Sequence, residues 1–466
     1  MKQTILPLVI LAIGIAGCTL APQYHRPTAR LPETWNAPNT NSLSATNLAA
    51  EIGWRSFFPD PRLQQLIELA LTNNRDLRSA SLRLDLARTE YRIRRSPLLP
   101  EVDGNASGIR QRTSGEIYAF DGGTILSTYS VGATASYEVD LFGRIRSLKD
   151  AALENFLATE ETRQSIQISL VAEVATEYLT QLRLREAKAI AQQTLETVQS
   201  SYQLIRKRFE LGAASELELR TAEGQVETVR VNAAAFLQQL AESENALAQL
   251  IGQPIPTQLP PGIPFGQQQL LGPIPAGIPS ETLEKRPDIL AAEHTLKSAH
   301  ANIGAARAAY FPQILLTGSG GLSSTTLDNL FTGPARTWSY GPQLNVPLFN
   351  YGATQAKVAA SKINAELEVT AYQKAIQTAF REVADALATR GILDQKLKAQ
   401  ERLLAAERRR FELTEARYRQ GVDSYVEVLL AQQDLYSAQQ NLLQFQAARL
   451  FNAITLYRSL GGGWKS

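Results

Sequence analysis

The chain has 466 residues, with 47 Lys and Arg against 45 Asp and Glu and a formal net charge of +2. So even a balance offers no electrostatic footprint for a nucleic acid, and no nucleic-acid partner is expected. Mean hydropathy is −0.17. Beyond the first 20 residues no apolar run reaches about 18, which argues against a helical membrane protein but leaves a β-barrel open. Cys18 is the one cysteine, so no intramolecular disulfide can form. The histidines are His25, His294 and His300, and the last two are six apart, on different helix faces. With no G-x-x-x-x-G-K-[ST] loop and no convergent acid, base and nucleophile, no cofactor, metal or catalytic residue is expected and the chain reads as a non-enzyme.

In chain order, residues 1–17 carry Lys2, an apolar run from Ile5 to Ala16 and then small residues, the layout of a secretory signal peptide. Ile15-Ala16-Gly17-Cys18 resembles the bacterial lipobox, with Cys18 as the acylated first residue of the mature protein; a plain signal with an incidental cysteine is the alternative. Thr19 rather than Asp follows it, which fits export to the outer membrane. Stable attachment then needs more than one acyl chain. Residues 18–61 form an N-terminal extended segment.

An internal repeat organises the rest. Asp76-Leu77 matches Asp288-Ile289 and Pro100 matches Pro312 at an offset of 212; Leu141-Phe142 matches Leu348-Phe349 at 207; Gly212 and Gly252 match Gly421 and Gly461 at 209. Repeat one spans 62–250, a Pro/Gly-rich linker spans 251–279, repeat two spans 280–460, and 461–466 is a tail. Each repeat opens with a helical stretch (Arg62 to Arg95; Ser280 to Tyr310) stopped by proline. Strand-like residues follow, about 101–112 and 125–140, then 313–322 and 337–348. Next come very long helical patterns at 144–209 and 353–418, a glycine interruption at Gly212 or Gly421, and a second long helix. Leu219, Ala222, Val226, Val229, Ala233 and Phe236 step by three and four, and each has a twin 209 residues on, from Val428 to Phe445. Sustained heptads predict coiled-coil packing. Tyr372, Ile376, Phe380, Val383 and Leu387 form a further seam.

Strands of about ten residues suit a transmembrane barrel wall, with Tyr129, Tyr137, Trp338 and Tyr340 as interfacial aromatics. Four strands cannot close a barrel, and an open sheet is barred from lipid. Either several chains share one barrel, three of them supplying twelve strands and twelve long helices, or a small sheet caps a soluble coiled coil. The fold class expected is mainly α with a transmembrane β-barrel, internally duplicated, with four strands and long helical hairpins per chain.

Seven stretches carry a family resemblance: GCTLAPQYHRP (17–27), WRSFFPDPRLQQLIELAL (54–71), YEVDLFGRIR (137–146), RPDILAAE (286–293), AARAAYFPQILLTG (305–318), NVPLFNYG (345–352) and RYRQGVDSYVEVL (417–429). Together they resemble the TolC-type outer-membrane efflux channels, in the lipoprotein branch serving resistance-nodulation-division pumps. The resemblance implies a homotrimer with a twelve-stranded barrel above a twelve-helix periplasmic tunnel. It implies docking on a periplasmic adaptor and an inner-membrane proton-driven transporter, anchorage to outer-membrane lipid by acylation, and passive outward passage of drugs or other toxic solutes. A type I secretion or heavy-metal export channel of the same family is the alternative, and a pore-less coiled-coil lipoprotein a remote one.

Matched by motif, the periplasmic constriction falls on Val426, Glu427 and Leu430, with Gln433 one turn on. Many relatives have Asp at the place of Leu430, and lipoprotein relatives often have Arg at that of Gln433; this chain has neither. The expected gate is therefore chiefly an apolar ring, which closes by dewetting. Any acidic ring comes from Glu427, helped by Glu218 or Glu216. The resemblance also places adaptor contacts at the turns Gly212, Ala213, Ala214, Ser215 and Gly421, Val422, Asp423, Ser424.

Overall fold

The computed structural model describes residues 19–28, 32, 52–114, 124–270, 283 and 285–463. Cys18 lies outside the described residues, as do the signal segment, most of 29–51 and the stretch 271–282. In chain order the elements are helices α1 (Trp54–Phe57), α2 (Pro61–Asn73) and α3 (Arg75–Arg95), strands β1 (Glu101–Thr113) and β2 (Thr124–Val139), then helices α4 (Arg144–Glu210) and α5 (Glu216–Ile251). The second half runs α6 (Pro287–Ala308), β3 (Gln313–Ser324), β4 (Arg336–Asn345), α7 (Ala353–Arg419) and α8 (Tyr425–Ser459). Each half repeats helix, two strands and a long helical hairpin.

Three boundaries differ from the sequence expectation, each for a local reason. The stretch 62–95 breaks at Asn74, whose side chain accepts from Leu77 N (2.9 Å) as a helix cap. The second opening helix begins at Pro287 rather than at 280. Proline suits a first helical position, and it bars its predecessor, Arg286, from the helical region. The last strand ends at Asn345, opposite Gln313, the first residue of β3, so residues 346–348 have no strand to pair with.

By compactness the described chain forms two units, each drawing on both repeats. One holds residues 19–28, 83–160 and 291–373; the other holds the described residues of 29–82 with 161–290 and 374–466.

In the first unit the four strands form one antiparallel sheet in the order β1-β2-β3-β4. Lateral rows divide its faces. Ala106, Val131, Leu322 and Arg336 form one row, and Ala133, Gly320 and Trp338 another on the same face. This face also carries Tyr137, Leu316 and Tyr340, and Trp338 and Tyr340 stack with centroids 5.7 Å apart. The opposite face is polar: Ser107 and Ser130 share a 2.8 Å hydrogen bond, as do Ser319 and Ser339. Glu101, Asp103 and Glu138 stand on this polar face as well. In the same unit the segment 19–28 follows α6: Arg307 Nη1 donates to the Leu20 carbonyl (3.0 Å), and Arg26 and Tyr24 bond the Glu293 carboxylate (2.5 and 3.2 Å).

In the second unit the hairpins pack antiparallel through their heptad seams. Ala191 meets Ala233 and Tyr436, Val198 meets Val226 and Val229, and Ile205 meets Ala222. Small residues at these positions allow close approach, and each buried Val or Ile contributes about 1.5–3 kcal/mol. Ile376, Val383 and Leu387 are buried as their spacing predicts, and Tyr372, which falls in the first unit, is buried too.

The repeats also meet their helix ends alike. Asn74 Nδ2 donates to the Leu250 carbonyl (2.8 Å) and Arg286 Nη1, its counterpart, to the Ser459 carbonyl (2.6 Å). Asp60, buried, caps α2 through Arg62 N (2.9 Å) and accepts from Tyr178 Oη (2.9 Å), Ile263 N (3.0 Å) and Gln268 Nε2 (2.7 Å). One carboxylate thus ties the linker to α2 and α4.

Candidate periplasmic gate at the hairpin tips

The two helical turns are built alike from their glycines. Gly212 has φ +73° and Gly421 φ +76°, in the left-handed region where glycine costs least. Ala213 N donates to Arg208 O (2.7 Å) and Gly212 N to Phe209 O (2.9 Å); Val422 N donates to Arg417 O (3.0 Å) and Gly421 N to Tyr418 O (2.9 Å). Both are Schellman caps, and every partner is 209 residues from its twin.

Side chains then separate the turns. Ser215 and Glu218 close a capping box: Glu218 N bonds Ser215 Oγ (3.2 Å) and Glu218 Oε2 accepts from Ser215 N (2.8 Å). The twin pair, Ser424 and Glu427, has the same spacing, but Ser424 makes no side-chain cap bond and Glu427 is exposed. Arg417 grips Asp423 with two bonds (2.6 and 2.8 Å), holding that carboxyl below its usual range. Its twin Arg208 instead bonds the Tyr418 hydroxyl and the Ala213 carbonyl (3.3 Å). Tyr418 stands edge-on to Tyr425, with centroids 5.1 Å apart.

Ile205, Ala222, Tyr425, Val428 and Leu429 form the buried core between the tips, flanked by Tyr202, Ala214, Leu219 and Tyr418. The expected gate residues lie off this core. Val426 is half-buried, Leu430 is 47% exposed, and Glu427 and Gln433 are exposed. Val426, Leu430 and Gln433 fall at i, i+4 and i+7, one stripe on α8. Glu218 is half-buried and committed to its cap, and Glu216 lies 3.5 Å from Arg220. Gly212, Ala213, Ser215, Gly421 and Ser424 are exposed, and Asp423 is half-buried under Arg417.

Sequence reading missed the arginines. Arg208 and Arg417 occupy matching last turns, and a cation there next to helix carbonyls was the available signal. Arg410 bridges Asp434 (2.7 Å) and Glu407 (3.1 Å), one residue beyond Gln433; no spacing within α8 announces that pair.

Comparison with known proteins decides what this arrangement belongs to. The outer membrane efflux protein family model matches residues 66–253 and 278–462, one stretch on each repeat. The chain belongs to the outer membrane efflux protein family. It is 43% identical over its whole length to the toluene efflux pump outer membrane protein TtgC of Pseudomonas putida, covering 96% of that protein. It is 39% identical to outer membrane protein OprJ of Pseudomonas aeruginosa, over 98% of this chain and 95% of that one. The open state of the Neisseria gonorrhoeae MtrE outer membrane channel superposes with a TM-score of 0.88 at 39% identity, over 96% of this chain and 99% of that one. The chain is thus an outer-membrane channel protein of an efflux pump, mainly helical with a four-stranded barrel segment and a large periplasmic portion. Among the described residues no helix is long and apolar enough to cross a membrane.

Proposed function

We propose that three chains close one twelve-stranded barrel and one twelve-helix tunnel, and that this passive conduit completes a tripartite pump with a periplasmic adaptor and an inner-membrane resistance-nodulation-division transporter. The observation that carries the reading is the sheet itself: β1 and β4 are its edges, one of its faces is apolar, and lipid does not tolerate open edges. TtgC is named for toluene efflux, which supports small apolar or amphipathic toxic solutes as the cargo here. Cys18 is proposed as the acylated anchor, and the tips Gly212, Ala213, Ser215, Gly421, Asp423 and Ser424 as the adaptor contacts.

The gate is proposed to be an apolar ring of Val426 and Leu430, with Glu427 as its acidic component and Gln433 behind. Two features support this: the exposed stripe on α8, and a Glu427 carboxylate left out of the cap that holds Glu218. Single-channel recording in planar bilayers tests each part. Leu430→Ala is expected to raise closed-state conductance severalfold by removing the dewetted constriction; no change sinks the apolar ring. Glu427→Gln is expected to lower cation selectivity, and unchanged selectivity sinks the acidic component.

A further inference from the structure

The apolar face of the sheet carries charge at one end only. Row parity puts Arg110 and Arg112 of β1 on that face, since Arg110 pairs with Ser127 and Arg112 with Ile125, in step with Ala106 and Val131. Arg336, opposite Leu322, stands on it too. All three are exposed and sit at the end of the sheet away from the helices, in the last four residues of β1 or the first of β4. No Asp or Glu among the described strand residues shares the face; Glu101, Asp103 and Glu138 are all on the opposite one, near the helices.

Depth fits a headgroup layer. Nine steps from Glu101 to Arg110, at ~3.4 Å each and with strands tilted ~40°, rise about 23 Å, close to the ~25 Å height of a barrel's apolar band. An arginine on the lipid side is costly at mid-membrane and nearly free at the interface. Trp338 and Tyr340, 75% and 80% exposed, lie just inside Arg336 in the position of an interfacial aromatic girdle.

We propose that Arg110 and Arg336, with Arg112 beside them, form a cationic rim that binds the phosphates of the outer-leaflet glycolipid, a bisphosphorylated, acylated glucosamine disaccharide of the lipid A class. Guanidinium forks match phosphate oxygens bidentately, while the apolar face below receives the acyl chains. Closure of the barrel by several chains sets β4 of one beside β1 of the next, which brings Arg336 toward its neighbour's Arg110. That convergence rests on the trimer reading; the face assignment does not.

The test is native mass spectrometry of the purified full chain titrated with bisphosphorylated lipid A, fully dephosphorylated lipid A and phosphatidylglycerol. Bisphosphorylated lipid A is expected to half-saturate at a concentration at least about tenfold below either comparator. R110Q/R336Q is expected to raise that concentration about tenfold or more, and R110K/R336K, which keeps the charge but loses the fork, to raise it by a smaller factor. Equal binding of the dephosphorylated lipid means that acyl chains alone are recognised; equal binding of phosphatidylglycerol means that any anionic headgroup serves. Either result overturns the proposal, as does an unmoved R110Q/R336Q. If that variant fails to assemble, the three-lipid comparison on the parent chain decides. The same spectra weigh the particle, so a copy number other than three sinks the trimer without touching the arginine assignment.

Discussion

Glycines with the same backbone angle here do different work. Gly421 and Gly212 have nothing within 4 Å of where a Cβ would stand, so alanine there meets only the left-handed φ, a cost of about 1 kcal/mol. Gly252, φ +77°, has the Asn73 carbonyl oxygen 2.4 Å from its Cβ position, and backbone cannot step aside. Gly421→Ala should therefore leave the heat stability of the assembled protein nearly intact, and Gly252→Ala should lower it markedly; melting followed by circular dichroism compares them. Glu293 makes a second residue-scale case. Burial opposes its charge, but hydrogen bonds from Arg26 and Lys297 outweigh that and set its pKa below the ordinary 4.5. A depressed acid contributes stability above its unfolded value and loses it as pH falls through the folded one. Hydrogen-exchange protection of residues 20–26, high near pH 6, should fall once the pH drops below the ordinary carboxylate range, whereas in Glu293→Gln it should stay unchanged over that span.

Elements are held together by contacts between repeats and linker as much as by seams. Asp60 fixes residues 263–268 against α2 and α4 through three donors, and Tyr178 is raised above its normal phenol range by burial and by that carboxylate. Asp60→Ala strands buried donors worth about 1–3 kcal/mol each, so limited proteolysis should cut near 261–268 sooner than in the parent, while Tyr178→Phe should show a smaller change. Little of this hub was legible beforehand, because its partners lie about 120 and 200 residues from Asp60 and no periodicity links them. The long hairpins were legible because their signals are local: heptads, a glycine where a helix ends, and a second occurrence at constant offset. Asn74 shows the limit: its side-chain oxygen caps α3 at Leu77 N, while its amide meets the Leu250 carbonyl 176 residues away, a contact no local pattern announces. Glu218 and Glu427 are identical in sequence pattern, and only the structure separates the one inside a capping box from the one outside it.

At the scale of the molecule, duplication and compactness divide the chain along different lines, since both compact units draw on both repeats. The repeats are therefore not independent domains, and removing one should leave no folded half. Charge follows the same whole-chain logic. Near neutrality overall conceals a sheet with acids on one face near the helices and arginines on the other at the loops.

The two longest helices are equal, 67 residues each, beginning at Arg144 and Ala353 and ending at Glu210 and Arg419, all at an offset of 209. The drift in offset seen elsewhere is thus confined to strands, connectors and linker. A helix keeps phase: one inserted residue turns everything beyond it through about 100°. An insertion midway along α4 would swing Val198 and Ile205 off the seams with α5 and rotate the tip away from its partners. Seven residues taken together nearly restore the register. Deleting one heptad from α4, α5, α7 and α8 at matched heights should still yield a folded, heat-resistant protein whose hairpins are shorter by about 10 Å. Deleting three or four residues at the same places should not, as trimer mobility on gels before and after heating would reveal.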